Sequence, residues 1–179
     1  MNRSFAQSLR LPLALAAAAT LAACGGAVDF DVTHAIDVNS AVAAWSGEAA
    51  VDLSTANPDA WKQRKHIDSI EVVSAEATIT SVPAASPTGA ANSATTGTGT
   101  ASFRPDGGGA DVLIGSLSGP IVQGRVIPLT PSPAVTTFIT DAMNGSGKFT
   151  VVASGLADGA PVSFTVQVHL ACKLNWKLF

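Results

Sequence analysis

The stretch VSFTVQVHLACKLNWKL, residues 162–178, decides the fold because apolar and polar side chains alternate along it almost without interruption. A period of two residues is the pattern of a β-strand that buries one face. At about 3.3 Å per residue such a strand would exceed about 50 Å if straight, and we expect it to bend or to serve two sheets in turn. Its apolar positions are Val162, Phe164, Val166, Val168, Leu170, Cys172, Leu174, Trp176 and Leu178.

Shorter segments of strand character precede this one. In residues 30–38, every second residue alternates with a polar or small one. The residues of this phase are Phe30, Val32, His34, Ile36 and Val38. Within residues 70–82 the apolar phase slips by one position, which predicts a β-bulge near Val72 and Val73. The remaining strand candidates are residues 48–53, 111–116, 121–129 and the segment that begins at Phe149.

Two short helices interrupt the strands. Residues 58–66 follow Asn57 as a cap residue and start with a proline, which is a helix-start pattern. A second helix opens at Ser132-Pro133 and ends at Asn144-Gly145. Its apolar residues Val135, Phe138, Ile139, Ala142 and Met143 have helical spacing and share one face.

The pattern as a whole predicts a mainly β protein, an antiparallel β-sandwich of seven or eight strands with two short helices. An immunoglobulin-like topology is one arrangement of such strands, although the Cys–Trp–Cys spacing of immunoglobulin domains is absent. Residues 83–100 contain only Pro, Ala, Ser, Thr, Gly and Asn. They have too few large apolar residues to form a core, and we expect a loop or flap whose second half pairs as a strand leading into Phe103. A loop of this kind is a candidate contact region.

The N-terminus has the layout of an export signal. Arg3 and Arg10 lie in a polar start, and the thirteen residues 11–23 that follow contain one polar residue, Thr20. That run is shorter than the ~20 apolar residues that a membrane-spanning helix needs, and it suits a signal peptide. It ends in Leu21-Ala22-Ala23-Cys24.

This ending resembles the lipobox of bacterial lipoproteins: leucine, two small residues and a cysteine. The resemblance covers the first 26 residues and implies that residues 1–23 are removed and that Cys24 carries diacylglycerol and an N-acyl chain. An ordinary secretory signal with a cysteine by coincidence is the alternative. Gly25 follows the cysteine, where the enterobacterial signal for inner-membrane retention has Asp. The resemblance therefore implies the outer membrane of a Gram-negative bacterium.

The expected organisation is a signal peptide over residues 1–23, an acylated Cys24 with a tether over residues 24–26, and one domain over residues 27–179. Removal of 23 of the 179 residues leaves 156, enough for a single core. Loss of Arg3 and Arg10 lowers the formal net charge from −3 to −5. An acidic chain gives no electrostatic reason to expect nucleic acid as a partner.

The sequence shows no catalytic constellation. The histidines His34, His66 and His169 are far apart and lack metal-ligand spacing, although His34 and His169 lie on predicted strands that could bring them together. Residues 145–148, GSGK, look like the end of a phosphate loop, but they follow a helix and precede a strand, and we interpret them as a turn. Residues 115–119, GSLSG, place a leucine at the nucleophile position of the serine-hydrolase elbow. We therefore expect no enzyme, no cofactor and no bound metal.

Weaker candidates concern surface contacts. Calcium would need carboxylates such as the pairs Asp29 with Asp31 or Asp106 with Asp111, which lack the spacing of a calcium loop. The basic cluster is defined as Lys62, Arg64, Lys65 and His66, beside Trp61. On a domain held close to a bilayer it would meet anionic head groups, and the alternative is a solvated helix face with Trp61 in the core.

Cys172 falls on the apolar phase of the last strand, where a buried thiol acts as a small hydrophobe. If Cys24 is acylated, no disulfide remains. The leading hypothesis is a membrane-anchored envelope lipoprotein, held by acyl chains on Cys24, that works as a non-catalytic structural or binding module for an envelope protein or a glycan. Two alternatives remain: an integral outer-membrane β-barrel, suggested by the terminal Phe179 after an alternating strand, or a hydrolytic enzyme whose site is assembled from distant residues.

Overall fold

A computed structural model describes residues 28–87 and 89–176. The predicted mainly β sandwich with short helices is confirmed. The elements in chain order are β1 (Val28–Ser40), β2 (Ala44–Asp52), α1 (Leu53–Ala56), α2 (Pro58–Lys62), a 3₁₀ turn (Arg64–His66), β3 (Ile67–Ser81), β4 (Thr96–Pro105), β5 (Val112–Pro120), β6 (Val126–Leu129), α3 (Pro133–Asn144), β7 (Lys148–Ala157) and β8 (Val162–Trp176).

The strands form two four-stranded antiparallel sheets, in the orders β1-β8-β3-β6 and β2-β7-β4-β5. The first strand pairs with the last, the second with the seventh, the third with the sixth and the fourth with the fifth. The chain is therefore one long hairpin rolled into a sandwich, which is the jelly-roll arrangement. The immunoglobulin-like order is not the one found, because it divides its strands ABED and CFG. Periodicity identifies strands but carries no information on their partners.

β8 is a strand with one buried face, as its sequence pattern predicts, and it lies between β1 and β3. It pairs with β1 from Val162 to Leu174 and with β3 on its other side. It stays within one sheet, and the expectation of a strand shared between two sheets is wrong. The predicted bulge is confirmed, since the register with β3 shifts between Val72 and Ser74. The alternate residues of β8 from Val162 to Leu174 are buried in the core.

α3 closes the core beside this bulge. Val135, Ile139 and Met143 are fully buried, as the helical spacing predicts. The hydroxyl groups of Thr140 and Thr136 accept hydrogen bonds from the backbone N–H groups of Ile70 and Val72, at 3.1 and 3.4 Å. These threonines satisfy donors on β3 where the bulge disturbs the ladder.

Trp45 fills the space between the sheets near one end of the sandwich. Its ring meets Phe164 edge to face, with the centroids 5.2 Å apart. In its own sheet Trp45 pairs with Gly155, which pairs with Gly99 on the next strand. A Cβ atom on Gly99 would lie 2.8 Å from the indole, and one on Gly155 would lie 2.6 Å from it. The two glycines therefore make the room that the indole occupies.

The register assigns every loop to one of two ends. The near end is where β1 begins at Val28, opposite Leu174. It also holds α1, α2 and the 3₁₀ turn, because β3 begins there at Ile67, opposite Trp176. The near end also holds residues 106–111 and the connection 130–147 that contains α3. The far end holds residues 41–43, 82–95, 121–125 and 158–161. None of the described helices combines the length and apolarity required to cross a membrane.

Candidate functional site

The low-complexity segment forms a flap at the far end, defined by the described residues 82–87 and 89–95. Residues 96–100 belong to β4, which confirms that the second half of the segment pairs as a strand. The flap folds back on itself through a bridge between Ala85 and Ala91 and a backbone hydrogen bond of 2.9 Å from Asn92 to Ala84. It is thus a small hairpin whose two arms leave the sandwich side by side.

Asn92 fastens the flap to the start of β8. Its amide nitrogen donates to the carbonyl oxygens of Ser163 at 2.6 Å and Pro83 at 3.2 Å. Its side-chain oxygen accepts from the N–H of Ser163 at 3.3 Å. One side chain thereby holds both the flap and the edge of the sheet.

Asp158, in the turn between β7 and β8, fastens the other arm. Its carboxylate accepts from the N–H groups of Thr95 and Thr96 at 2.8 and 2.9 Å and from the Thr95 hydroxyl at 2.5 Å. The hydroxyl of Thr95, and then the backbone N–H groups, hold the pKa of Asp158 well below its usual range. The flap is therefore pinned by a carboxylate that stays ionised in mild acid.

A polar pocket of about 270 Å³ lies between the flap and the outer face of the sheet that contains β1, β8 and β3. Pro83, Ala85 and Pro87 form its apolar wall. Ser163 is 3% exposed and Ser86 7%, and they are the two polar residues that are buried in the described part of the chain. The polar lining consists of Asp37, Asn39, Ser81, Ser86, Ser163 and Thr165.

Hydrogen bonds fix the polar groups of this pocket in place. Thr165 donates its hydroxyl to Asp37 at 2.8 Å, and Ser163 donates its hydroxyl to Asn39 at 2.6 Å. Asp37 is the one charged residue in the described lining. The pocket therefore presents ordered neutral donors and acceptors beside a single carboxylate.

We expect the flap tip to be peripheral to the fold. Because Ala84 and Asn92 are already hydrogen-bonded neighbours, an Asn-Gly turn in place of residues 85–91 closes the hairpin without moving Asn92. The free energy of unfolding should fall by less than about 2 kcal/mol. Urea denaturation followed by far-UV circular dichroism measures this, and loss of the β-sheet signal without denaturant would show that the tip belongs to the folding unit.

The structure separates the two strand histidines. His34 faces the interior, between Val32 and Ile36, and pairs with Val168. The next residue, His169, points to the outer face because successive side chains on a strand alternate. His34 and His169 therefore do not form a metal or catalytic pair, and His66 lies in the 3₁₀ turn at the near end.

His169 lies between two acids on the open outer face of the sheet. Its Nε2 is 3.3 Å from Asp31, and its Nδ1 is 3.7 Å from Glu76. The side chain is 31% exposed. A hydrolytic site needs a nucleophile within hydrogen-bond reach of its base and a cleft that excludes water, and this cluster has only the histidine and the acids.

We expect His34 to make the stability of the fold depend on pH. Burial lowers its pKa, and within the described residues its Nε2 has no hydrogen-bond partner. The unfolded chain therefore binds a proton more readily, so stability should be complete above the unfolded pKa of about 6.5 and should fall as pH decreases through that value toward the folded pKa.

Urea midpoints at pH 7.5 and 5.5 test this, with His34→Leu as the comparison. The variant retains His66 and His169 and differs from the parent chain at one histidine. We expect a smaller loss of stability on acidification in the variant. Equal losses would show that His34 does not control the pH dependence.

Cys172 is buried, with 1% of its surface exposed, as its place among the apolar positions of β8 predicts. Burial raises the pKa of its thiol to about 12, so it is a poor nucleophile at neutral pH. Cys24, the predicted lipidation site, lies outside the described residues. So does Phe179.

The other segments and acidic residues that the sequence offered as candidate sites lie in a turn, within a strand or in ion pairs. The GSGK segment is the turn from α3 into β7, as interpreted, and residues 115–119 lie inside β5. Asp31 faces His169, and Asp111 pairs with Arg104 at 3.1 Å. Among the described residues there is no group of three or more histidine, cysteine or acidic side chains arranged to hold a metal ion.

The basic cluster lies at the near end. The guanidinium of Arg64 is 4.1 Å from the ring centre of Trp61, and Lys62 pairs with Asp59 at 3.2 Å. Trp61 is partly buried against the core, close to Gly147. The cluster therefore belongs to the end of the domain where β1 begins.

The polar pocket was not predicted as a site. The composition of residues 83–100 singles out the flap, but Asp37, Asn39 and Ser163 carry no local signal. Each is a polar residue at an outward-facing position of a strand, as is usual in a strand with one buried face. Only the pairing of β1 with β8 brings the three residues together.

Comparisons with known proteins assign this chain to no family. No family model matches the chain, and no curated protein matches it. Among solved structures, a chain of Desmodium yellow mottle tymovirus aligns over 99% of this chain and 98% of its own length, with 11% identity and a TM-score of 0.39. A chain of turnip yellow mosaic virus aligns over 85% and 96%, with 10% identity and a TM-score of 0.33. Likeness at this level carries no argument about function.

Proposed function

We propose that this protein is a lipid-anchored lipoprotein of the bacterial outer membrane that acts as a non-catalytic binding module. One observation carries the proposal: β1 begins at Val28, four positions after the lipobox cysteine Cys24. Four residues of extended chain span no more than about 14 Å. The near end would therefore lie against the bilayer, and the far end would face away from it.

The chemistry of the anchor supports stable attachment. Each buried methylene contributes about 0.8 kcal/mol, and two or more acyl chains are needed to hold a protein firmly. A diacylglyceryl group with an N-acyl chain on Cys24 meets that requirement.

The features of the two ends support a division of roles. The far end carries the flap and the polar pocket, which is the arrangement of a binding surface held on a rigid scaffold. The near end carries the basic cluster, where contacts with anionic lipid head groups would add to the anchor. The described lining of the pocket contains no histidine, cysteine or lysine, which supports binding rather than covalent chemistry.

Depth-dependent quenching tests this orientation. With Cys24 acylated and Cys172 buried, one engineered cysteine is the reactive thiol. Gln63→Cys, at the near end, and Val122→Cys, at the far end and 56% exposed, are labelled with a fluorophore in vesicles that contain nitroxide lipids. We expect strong quenching at residue 63 and weak quenching at residue 122. Equal quenching, or stronger quenching at residue 122, would contradict the proposed orientation.

A further inference from the structure

We propose that the polar pocket beneath the flap binds a neutral sugar ring. This inference rests on the proposed function, because it names the ligand class of the module at the far end. The pocket is lined by residues of the sheet on one side and of the flap on the other. Its volume of about 270 Å³ is just below the range of about 300–1,000 Å³ that is usual for drug-sized ligands, which suits one monosaccharide unit.

The charge of the lining excludes anions and favours hydroxyl groups. A phosphate or carboxylate ligand would meet the Asp37 carboxylate with no described cation in the lining to offset it. A carboxylate accepts strongly from hydroxyl donors, and such charge-assisted bonds are about twice as strong as neutral ones. Sugar hydroxyls both donate and accept, which matches a lining of one carboxylate, one amide and several hydroxyls.

The lining is also ordered before a ligand arrives. Asn92 holds the flap to Ser163, Ser163 orients Asn39, and Thr165 orients Asp37. Groups already fixed by hydrogen bonds lose little conformational entropy when a ligand binds. The rings of Pro83 and Pro87 supply an apolar wall, which fits the C–H face of a pyranose.

The test uses the acylated mature protein purified from membranes in a detergent without a sugar head group. A glycan array is screened first, and saturation-transfer difference NMR then measures glucose, galactose, N-acetylglucosamine and glucose 6-phosphate. We expect binding of at least one neutral sugar and no binding of the phosphate ester. Asp37→Ala should raise the Kd at least about 10-fold.

Asp29→Ala is the matched control, since Asp29 lies on the same strand and outer face but at the near end. It should leave the Kd unchanged. No binding on the array, equal binding of glucose 6-phosphate, or equal effects of the two variants would overturn the sugar site. Membrane flotation of the same preparations reports the anchor separately. A protein that floats with membranes but binds no sugar would refute this inference and leave the anchor intact.

Discussion

Gly99→Ala is expected to lower the free energy of unfolding by at least about 3 kcal/mol. A Cβ atom there would collide with the carbonyl oxygen of Ser154 on the neighbouring strand and would lie 2.8 and 2.9 Å from two carbons of the Trp45 ring. The carbonyl oxygen is part of the backbone and the two carbons are part of a rigid ring, so neither group can move away from the new Cβ atom. β4 and β7 would have to separate, or Trp45 would have to leave the core.

Gly97→Ala is the matched control, on the same strand and the same inner face. Its Cβ would meet Ile121 and the carbonyl oxygen of Leu156 at 3.4 Å, which is ordinary contact. Its effect should stay within about 1 kcal/mol. Urea unfolding followed by tryptophan fluorescence measures both variants. Similar losses for the two would show that the indole does not lie across Gly99.

The second large effect concerns the anchor. In cells grown with labelled palmitate, Cys24→Ala should abolish incorporation of the label into this protein, because the thiol is the proposed site of diacylglyceryl attachment. When residues 1–24 are exchanged for a general secretory signal without a cysteine, the domain should move from the membrane fraction to the soluble periplasm, since a chain without acyl groups loses its membrane attachment.

Cys172→Ala supplies the control, as it removes the other cysteine of the chain. Because Cys172 is buried in β8, the variant should keep its label and its membrane attachment. Retention of label in Cys24→Ala, or its loss in Cys172→Ala, would contradict the assignment of the lipidated residue.

Much of the fold follows from local pattern. The alternation in β8 predicts a strand with one buried face. The phase slip at Val72 predicts the bulge, and the spacing of Val135, Ile139 and Met143 predicts the buried face of α3. Each of these is set by neighbours within one element, where side-chain period fixes the buried face.

Strand partners and the site do not follow from local pattern. The pairing of β1 with β8 joins residues more than 120 positions apart, and no periodicity within either strand encodes it. The same pairing creates the polar pocket and separates His34 from His169. The core around Trp45 is also not predictable from local pattern. Gly99 and Gly155 must lack side chains to leave room for the indole, and this becomes clear only when β2, β7 and β4 are aligned.

The central claim is a folded domain held at the membrane by lipid on Cys24, and the intact mass of the protein purified from the membrane fraction tests it most directly. We predict a chain that begins at Cys24 and carries the added mass of a diacylglyceryl group and an N-acyl chain. A chain that begins at another residue, or one with an unmodified Cys24, would contradict the account.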